Sequence, residues 1–134
     1  MEGTVFDPLR KKYVARTPEE EVRQHFITWL NTQRNYPLAL MASEYILKIG
    51  KRRLRCDIVV FNRNLEPQII VECKAPHVSL GNNVMQQIAS YSTLLKVPHL
   101  VITNGAGTCV CSYNELSGRY EFAQDIPYHS NPQL

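Results

Sequence analysis

Ile69-Ile70-Val71-Glu72-Cys73-Lys74 is an apolar run of strand length that closes on a Glu-x-Lys triplet. Upstream lies a second run, Arg55-Cys56-Asp57-Ile58-Val59-Val60, and 14 residues separate its aspartate from Glu72. Side chains alternate between the faces of a strand, so Glu72 and Lys74 share a face and Cys73 points the other way. If the two runs pair as neighbours, Asp57 can join that face. Two carboxylates and an ammonium then crowd at the end of a buried sheet. Burial disfavours such charges, and neighbouring carboxylates oppose each other's ionisation. A divalent cation shared by the carboxylates resolves both problems, and this is the chemistry of metal-dependent phosphodiester hydrolysis.

The flanking sequence supplies the frame. Thr17-Pro18-Glu19-Glu20-Glu21 is a helix start, with Thr at the N-cap, Pro in the first turn and acids at the positive helix end. Val22, Phe26, Trp29 and Leu30 form an apolar stripe on this helix, which is expected to end between Asn31 and Asn35. Strands are expected over 43–49, 54–61 and 68–73, with turns at Gly50-Lys51 and Asn62-Arg63-Asn64, and Ala75-Pro76 closes the third. A second helix is expected over 83–95, on the spacing of Val84, Ile88, Tyr91 and Leu95. A short apolar strand at 99–103 and two weaker ones near 108–113 and 119–122 follow. This order predicts a mixed α/β sandwich, an antiparallel meander that crosses over to a parallel strand. The domain is expected over 17–126, after an irregular arm at 1–16 and before a loop-like tail at 127–134.

At 134 residues, 44% hydrophobic and 20% charged, the chain has the composition of one ordinary globular domain. It has no apolar stretch of the roughly 20 residues that span a bilayer. Met1-Glu2-Gly3-Thr4 does not resemble a signal peptide, so a cytoplasmic location without membrane contact is expected. Cys56, Cys73, Cys109 and Cys111 lack zinc or redox spacing and read as reduced thiols. Net charge is only +3, but seven basic residues fall between Lys48 and Lys74 against three acidic ones. Lys51, Arg52, Arg53 and Arg55 would attract a polyanion to the carboxylates. A solvated hairpin tip would account for the same run.

Asp57, Glu72 and Lys74 match the D…(D/E)xK signature of the restriction-endonuclease-like nuclease superfamily. More narrowly, the chain resembles the N-terminal nuclease domain of type I restriction enzyme R subunits. The resemblance rests on Thr17-Pro18-Glu19-Glu20-Glu21-Val22-Arg23-Gln24, on the two strand runs, and on Val71-Glu72-Cys73-Lys74-Ala75-Pro76. Gln87-Ile88-Ala89-Ser90-Tyr91 and Val101-Ile102-Thr103-Asn104-Gly105 complete it, and together these cover about residues 15 to 125. Cys56 stands where the superfamily signature has proline. No Gly-x4-Gly-Lys-Ser/Thr phosphate loop accompanies the blocks, so a stand-alone relative without the helicase motor is expected.

The resemblance implies a restriction-endonuclease-like core of order αβββαβ with one or two further C-terminal strands. It implies a magnesium- or manganese-dependent DNA endonuclease, with a homodimer or a separate specificity or motor partner. Asp57 and Glu72 would hold the cation with the Cys73 main-chain carbonyl, and Lys74 would orient the water and stabilise charge on the phosphorane. The first helix would lend another acid. Glu19 lies on the stripe with Val22, Phe26 and Trp29 and is expected to face the sheet, with Glu20 as the alternate. Gln87 and Tyr91, one helical turn apart, would form a Gln-x3-Tyr element beside the site, although Tyr91 also fits the core. The rival reading is a catalytically silent nucleic-acid-binding or partner-docking module that keeps the fold.

Overall fold

A computed structural model describes residues 2–81, 85–86, 89–90 and 96–130. Helix α1 spans Pro18–Gln33, and the Thr17 hydroxyl accepts from the Glu20 amide at 3.1 Å, capping its first turn. Its end is set by Asn35, whose φ of +66° turns the chain so that the amides of Arg34 and Tyr36 both donate to the Leu30 carbonyl. Asparagine tolerates this left-handed terminator better than most side-chain-bearing residues.

The chain begins with a two-stranded antiparallel hairpin, β1 (Thr4–Asp7) and β2 (Lys12–Ala15). The sequence suggested an irregular arm here. The hairpin's anchor is polar and has no periodicity to read. Asp7 is fully buried and accepts from the Leu9 amide at 2.8 Å and from the Arg10 guanidinium. Burial opposes its ionisation, but the arginine and the amide outweigh that and hold its carboxyl below the usual range.

Strands β3 (Met41–Ile49), β4 (Arg52–Phe61), β5 (Pro67–Cys73), β6 (His99–Thr103), β7 (Thr108–Asn114) and β8 (Arg119–Ala123) form one sheet in chain order. Every neighbouring pair is antiparallel except β5 and β6, which run parallel. The fold is therefore α/β with a mixed sheet. Gly50, at φ +61°, makes the tight turn between β3 and β4, a conformation that costs glycine little. Central strands of a sheet covered on both faces read as continuous apolar runs. Ile69, Ile70, Val71, Leu100, Val101 and Ile102 accordingly have almost no exposure.

Ile58, Val60, Ile69, Val71 and Val101 pack beneath Val22, Phe26, Ile27 and Leu30 of α1. Val59, Ile70, Leu100 and Ile102 form the opposite core with Met85 and Val97. Met85, Gln86, Ala89 and Ser90 are helical and fall inside the expected second helix, whose other positions lie outside the described residues. Beyond β8 the chain returns to the end of α1, where Arg34 donates to the Ile126 carbonyl and Tyr36 to that of Pro127. No described helix is long and apolar enough to cross a membrane.

Candidate active site

The last ladder pair between β4 and β5 is Ile58 with Val71, and one more step of that register would set Asp57 against Glu72. The strands separate instead. In the gap, Asp57 Oδ2 accepts the Cys73 amide at 2.7 Å, replacing the missing ladder bond. This side-chain cap lets two strands diverge without leaving a buried N–H unpaired. Cys73 packs under α1, whereas Lys74 Nζ and Glu72 Oε1 lie 3.4 Å apart, as alternation requires.

Asp57, Glu72 and Lys74 thus converge at one end of the sheet. Burial, then the nearby Asp57 carboxylate, pushes the Glu72 carboxyl up to about 7 against the opposing pull of Lys74. Burial, with help from Glu72 and Asp57, raises the Cys56 thiol to about 12, and the Cys73 thiol is raised by the same causes. Neither thiol is therefore a thiolate donor at neutral pH. All four cysteines are free.

The first helix differs from expectation. Glu19 is exposed, whereas Glu20 retains 6% of its surface and turns inward. Glu20 Oε1 accepts from Arg10 at 2.7 Å, Oε2 accepts from Gln24 at 2.9 Å, and Arg23 Nε lies 3.4 Å from Oε2. The face that meets the sheet keeps Val22, Phe26 and Leu30 but widens to take in Glu20, Arg23 and Ile27, and Trp29 is only partly buried. Two charged residues bury on it because each partners the other, and apolar periodicity cannot register such a pair. Breaking a buried ion pair from one side costs about 3–5 kcal/mol. Glu20→Ala should approach that cost, whereas exposed Glu19→Ala should stay within about 0.5 kcal/mol of the parent. Urea denaturation of both variants checks this, and equal losses would contradict it.

Two further residues join the cluster that the sequence reading did not select. Arg23 Nη2 lies 3.1 Å from Glu44 Oε1 and 3.6 Å from Asp57 Oδ1. Glu44 also pairs with Arg55, and these contacts, Arg55 foremost, hold its carboxyl below the usual range. The only sequence sign of Arg23 was its place beside Glu20 in the helix-start block, and Glu44 carried none. Among the basic residues, Lys51, Arg52, Arg53 and Arg55 are all exposed, and Arg55 lies within electrostatic reach of Asp57 and Glu72. Gln87 and Tyr91 lie outside the described residues. Among the described residues, no group of three or more His, Cys, Asp or Glu is set to hold a metal ion.

The family described as type I restriction enzyme R protein N terminus (HSDR_N) matches residues 18–127, most of the chain. The chain belongs to this family. The fold of this R-protein N-terminal domain is shared with a solved fragment described as an HsdR subunit of a type I restriction enzyme from Vibrio vulnificus YJ016. That likeness has a TM-score of 0.54 at 18% identity, over 82% of the present chain and 23% of the fragment. The present chain thus spans about a quarter of the solved fragment's length. No curated protein matches it.

Proposed function

We propose that this R-protein N-terminal domain is a magnesium-dependent DNA endonuclease. The observation that carries the reading is the convergence of Asp57, Glu72 and Lys74 where β4 and β5 diverge. Asp57 and Glu72, whose ionisation the neighbouring Asp57 carboxylate opposes, form a hard-oxygen donor pair. Magnesium suits such a set, because one or two carboxylates, several waters and substrate phosphates commonly complete its shell. When bound, it would polarise the scissile phosphate and lower the pKa of the attacking water.

The protein's own groups would divide the remaining work. Asp57 and Glu72 would hold the cation, with the Cys73 carbonyl available at the end of β5. Lys74, fixed by Glu72, would orient the water and meet the charge that develops on the phosphorane oxygens. Lys51, Arg53 and Arg55 would neutralise backbone phosphates on the approach. Glu20, tied to Arg10, Arg23 and Gln24, would shape the site, in preference to exposed Glu19. DNA would be the substrate, in the cytoplasm, with sequence choice supplied by a separate specificity or motor partner or by a second copy.

One observation favours a second reading. Glu20 is occupied by three partners, and the described residues offer no three-acid metal group. A nucleic-acid-binding or docking module of the same fold would have that arrangement. Incubating the domain with supercoiled, linear, single-stranded and branched DNA in magnesium or manganese separates the two. The nuclease reading expects cleavage that Asp57→Ala abolishes together with metal binding by calorimetry. DNA binding by a parent that neither binds metal nor cleaves would establish the docking module instead.

A further inference from the structure

Glu44 lies within β3 at φ +52°, in left-handed backbone that a glutamate seldom adopts. It sits across from Asp57. The pairs on either side, Ser43 with Ile58 and Tyr45 with Cys56, are formed, yet Glu44 and Asp57 do not pair. Core-facing positions change parity there on both strands. Met41 and Val60 pack under α1, whereas Leu47, Leu54 and Cys56 pack on the opposite face. The hairpin is therefore kinked at one cross-strand position, the one from which the Asp57 carboxylate reaches the Cys73 amide.

Arg23 meets that kink from α1. Its side chain is 7% exposed, and its guanidinium lies between Glu20, Glu44 and Asp57. Nε and Nη1 are buried without a hydrogen-bond acceptor. Nη2 approaches Asp57 Oδ1 at 3.6 Å, beyond hydrogen-bond length, while the Cys73 amide binds Oδ2 at 2.7 Å. Asp57 is thus held from both sides, by the Cys73 amide and by the charge of Arg23. Glu44 fixes the guanidinium from the far side and is itself held by Arg55.

We propose that Arg23 and Glu44 are positioning residues that preset the Asp57 carboxylate for its cation. The inference rests on the nuclease reading and assigns roles to two side chains outside the D…ExK set. Strain at a functional site persists where the surroundings overdetermine it, as the Arg23, Glu44 and Arg55 chain does here. Groups that orient a metal ligand typically contribute 10–100-fold to metal affinity or activity.

Removing Arg23 outright would strand three carboxylates and threaten folding, so the test uses Glu44→Gly and Arg23→Lys. Glycine adopts the left-handed conformation at little cost, which offsets part of the lost Arg23 ion pair, so Glu44→Gly should fold with a modestly lowered melting temperature. Manganese binding by calorimetry should weaken about 10–100-fold in Glu44→Gly. Cleavage should fall at low manganese and recover at saturating manganese, with KM for DNA unchanged. Arg23→Lys keeps the charge without the fork and should lose metal affinity to a smaller degree. Parent-like manganese affinity in both variants overturns the positioning role, as does weakening that merely tracks a lower melting temperature in both. A parent that binds no manganese overturns the nuclease reading and this inference with it.

Discussion

Lys74→Ala is expected to slow magnesium-dependent DNA cleavage by about 10²–10³-fold while the domain stays folded. The ammonium lies just past the end of β5, partly exposed, and its ion pair is with Glu72 at 3.4 Å. Its loss removes preorganised positive charge from the place where the phosphorane gains negative charge, an interaction made chiefly in the transition state. Such a loss lowers kcat and kcat/KM together. Metal affinity follows a different course. Lys74 pulls the Glu72 carboxyl downward, so without it that group rises further above about 7. Cation affinity should then weaken near neutrality, because more Glu72 is protonated. Above about pH 8 it should hold or strengthen, because a competing positive charge is gone. Single-turnover cleavage and manganese calorimetry at pH 7 and pH 8.5 test both expectations. Parental rates in the lysine variant would remove Lys74 from the mechanism.

Glu72→Gln is expected to abolish cleavage and to make the metal-free domain more stable above pH 7. The sign follows from the raised carboxyl. An ordinary glutamate loses its proton near 4.5, but Glu72 keeps its own up to about 7 in the folded chain. Between those values the native state binds more protons than the unfolded state, so stability falls as pH rises and then levels above about 7. Glutamine removes that slope. With a quarter of the side chain open to solvent, the gain at pH 8 should be about 1–2 kcal/mol, less than the full shift would give. Urea denaturation of parent and variant from pH 5 to pH 8.5 measures it. In the parent, cation binding must displace the Glu72 proton, so affinity should rise about tenfold per pH unit below 7 and flatten above it. A stability profile unchanged by the substitution would show that Glu72 is not ionised at cost in the native fold.

The strand order and the main carboxylate pair were legible because they depend on local signals. Ile69-Ile70-Val71 is apolar without interruption, as a strand buried on both faces must be, and Ala75-Pro76 ends it. Period-two alternation alone put Glu72 and Lys74 on one face. Thr17-Pro18 located the start of α1 to the residue. The width of the buried helix face was not legible in the same way. An apolar stripe through Val22, Phe26 and Trp29 pointed to Glu19, whereas the face meeting the sheet also takes in Glu20 and Arg23. The hairpin at Thr4–Asp7 and Lys12–Ala15 was missed for a related reason, since a buried Asp7 held by Arg10 leaves no hydrophobic pattern.

By itself the sequence determined the elements that follow from backbone periodicity, turn chemistry and caps. It also determined that Glu72 and Lys74 share a face and that a second carboxylate opens the apolar run of the preceding strand. Tertiary structure alone decided that β4 and β5 separate just beyond the Ile58–Val71 pair, so that Asp57 caps the Cys73 amide. It alone brought Arg10, Glu20, Arg23, Glu44 and Asp57 into contact from a hairpin, a helix and two strands. The reason is that charge burial is a pairwise property. Each of these groups is unfavourable inside by itself and stable only beside a partner distant in the chain. A pattern read one residue at a time carries the first half of that condition and not the second.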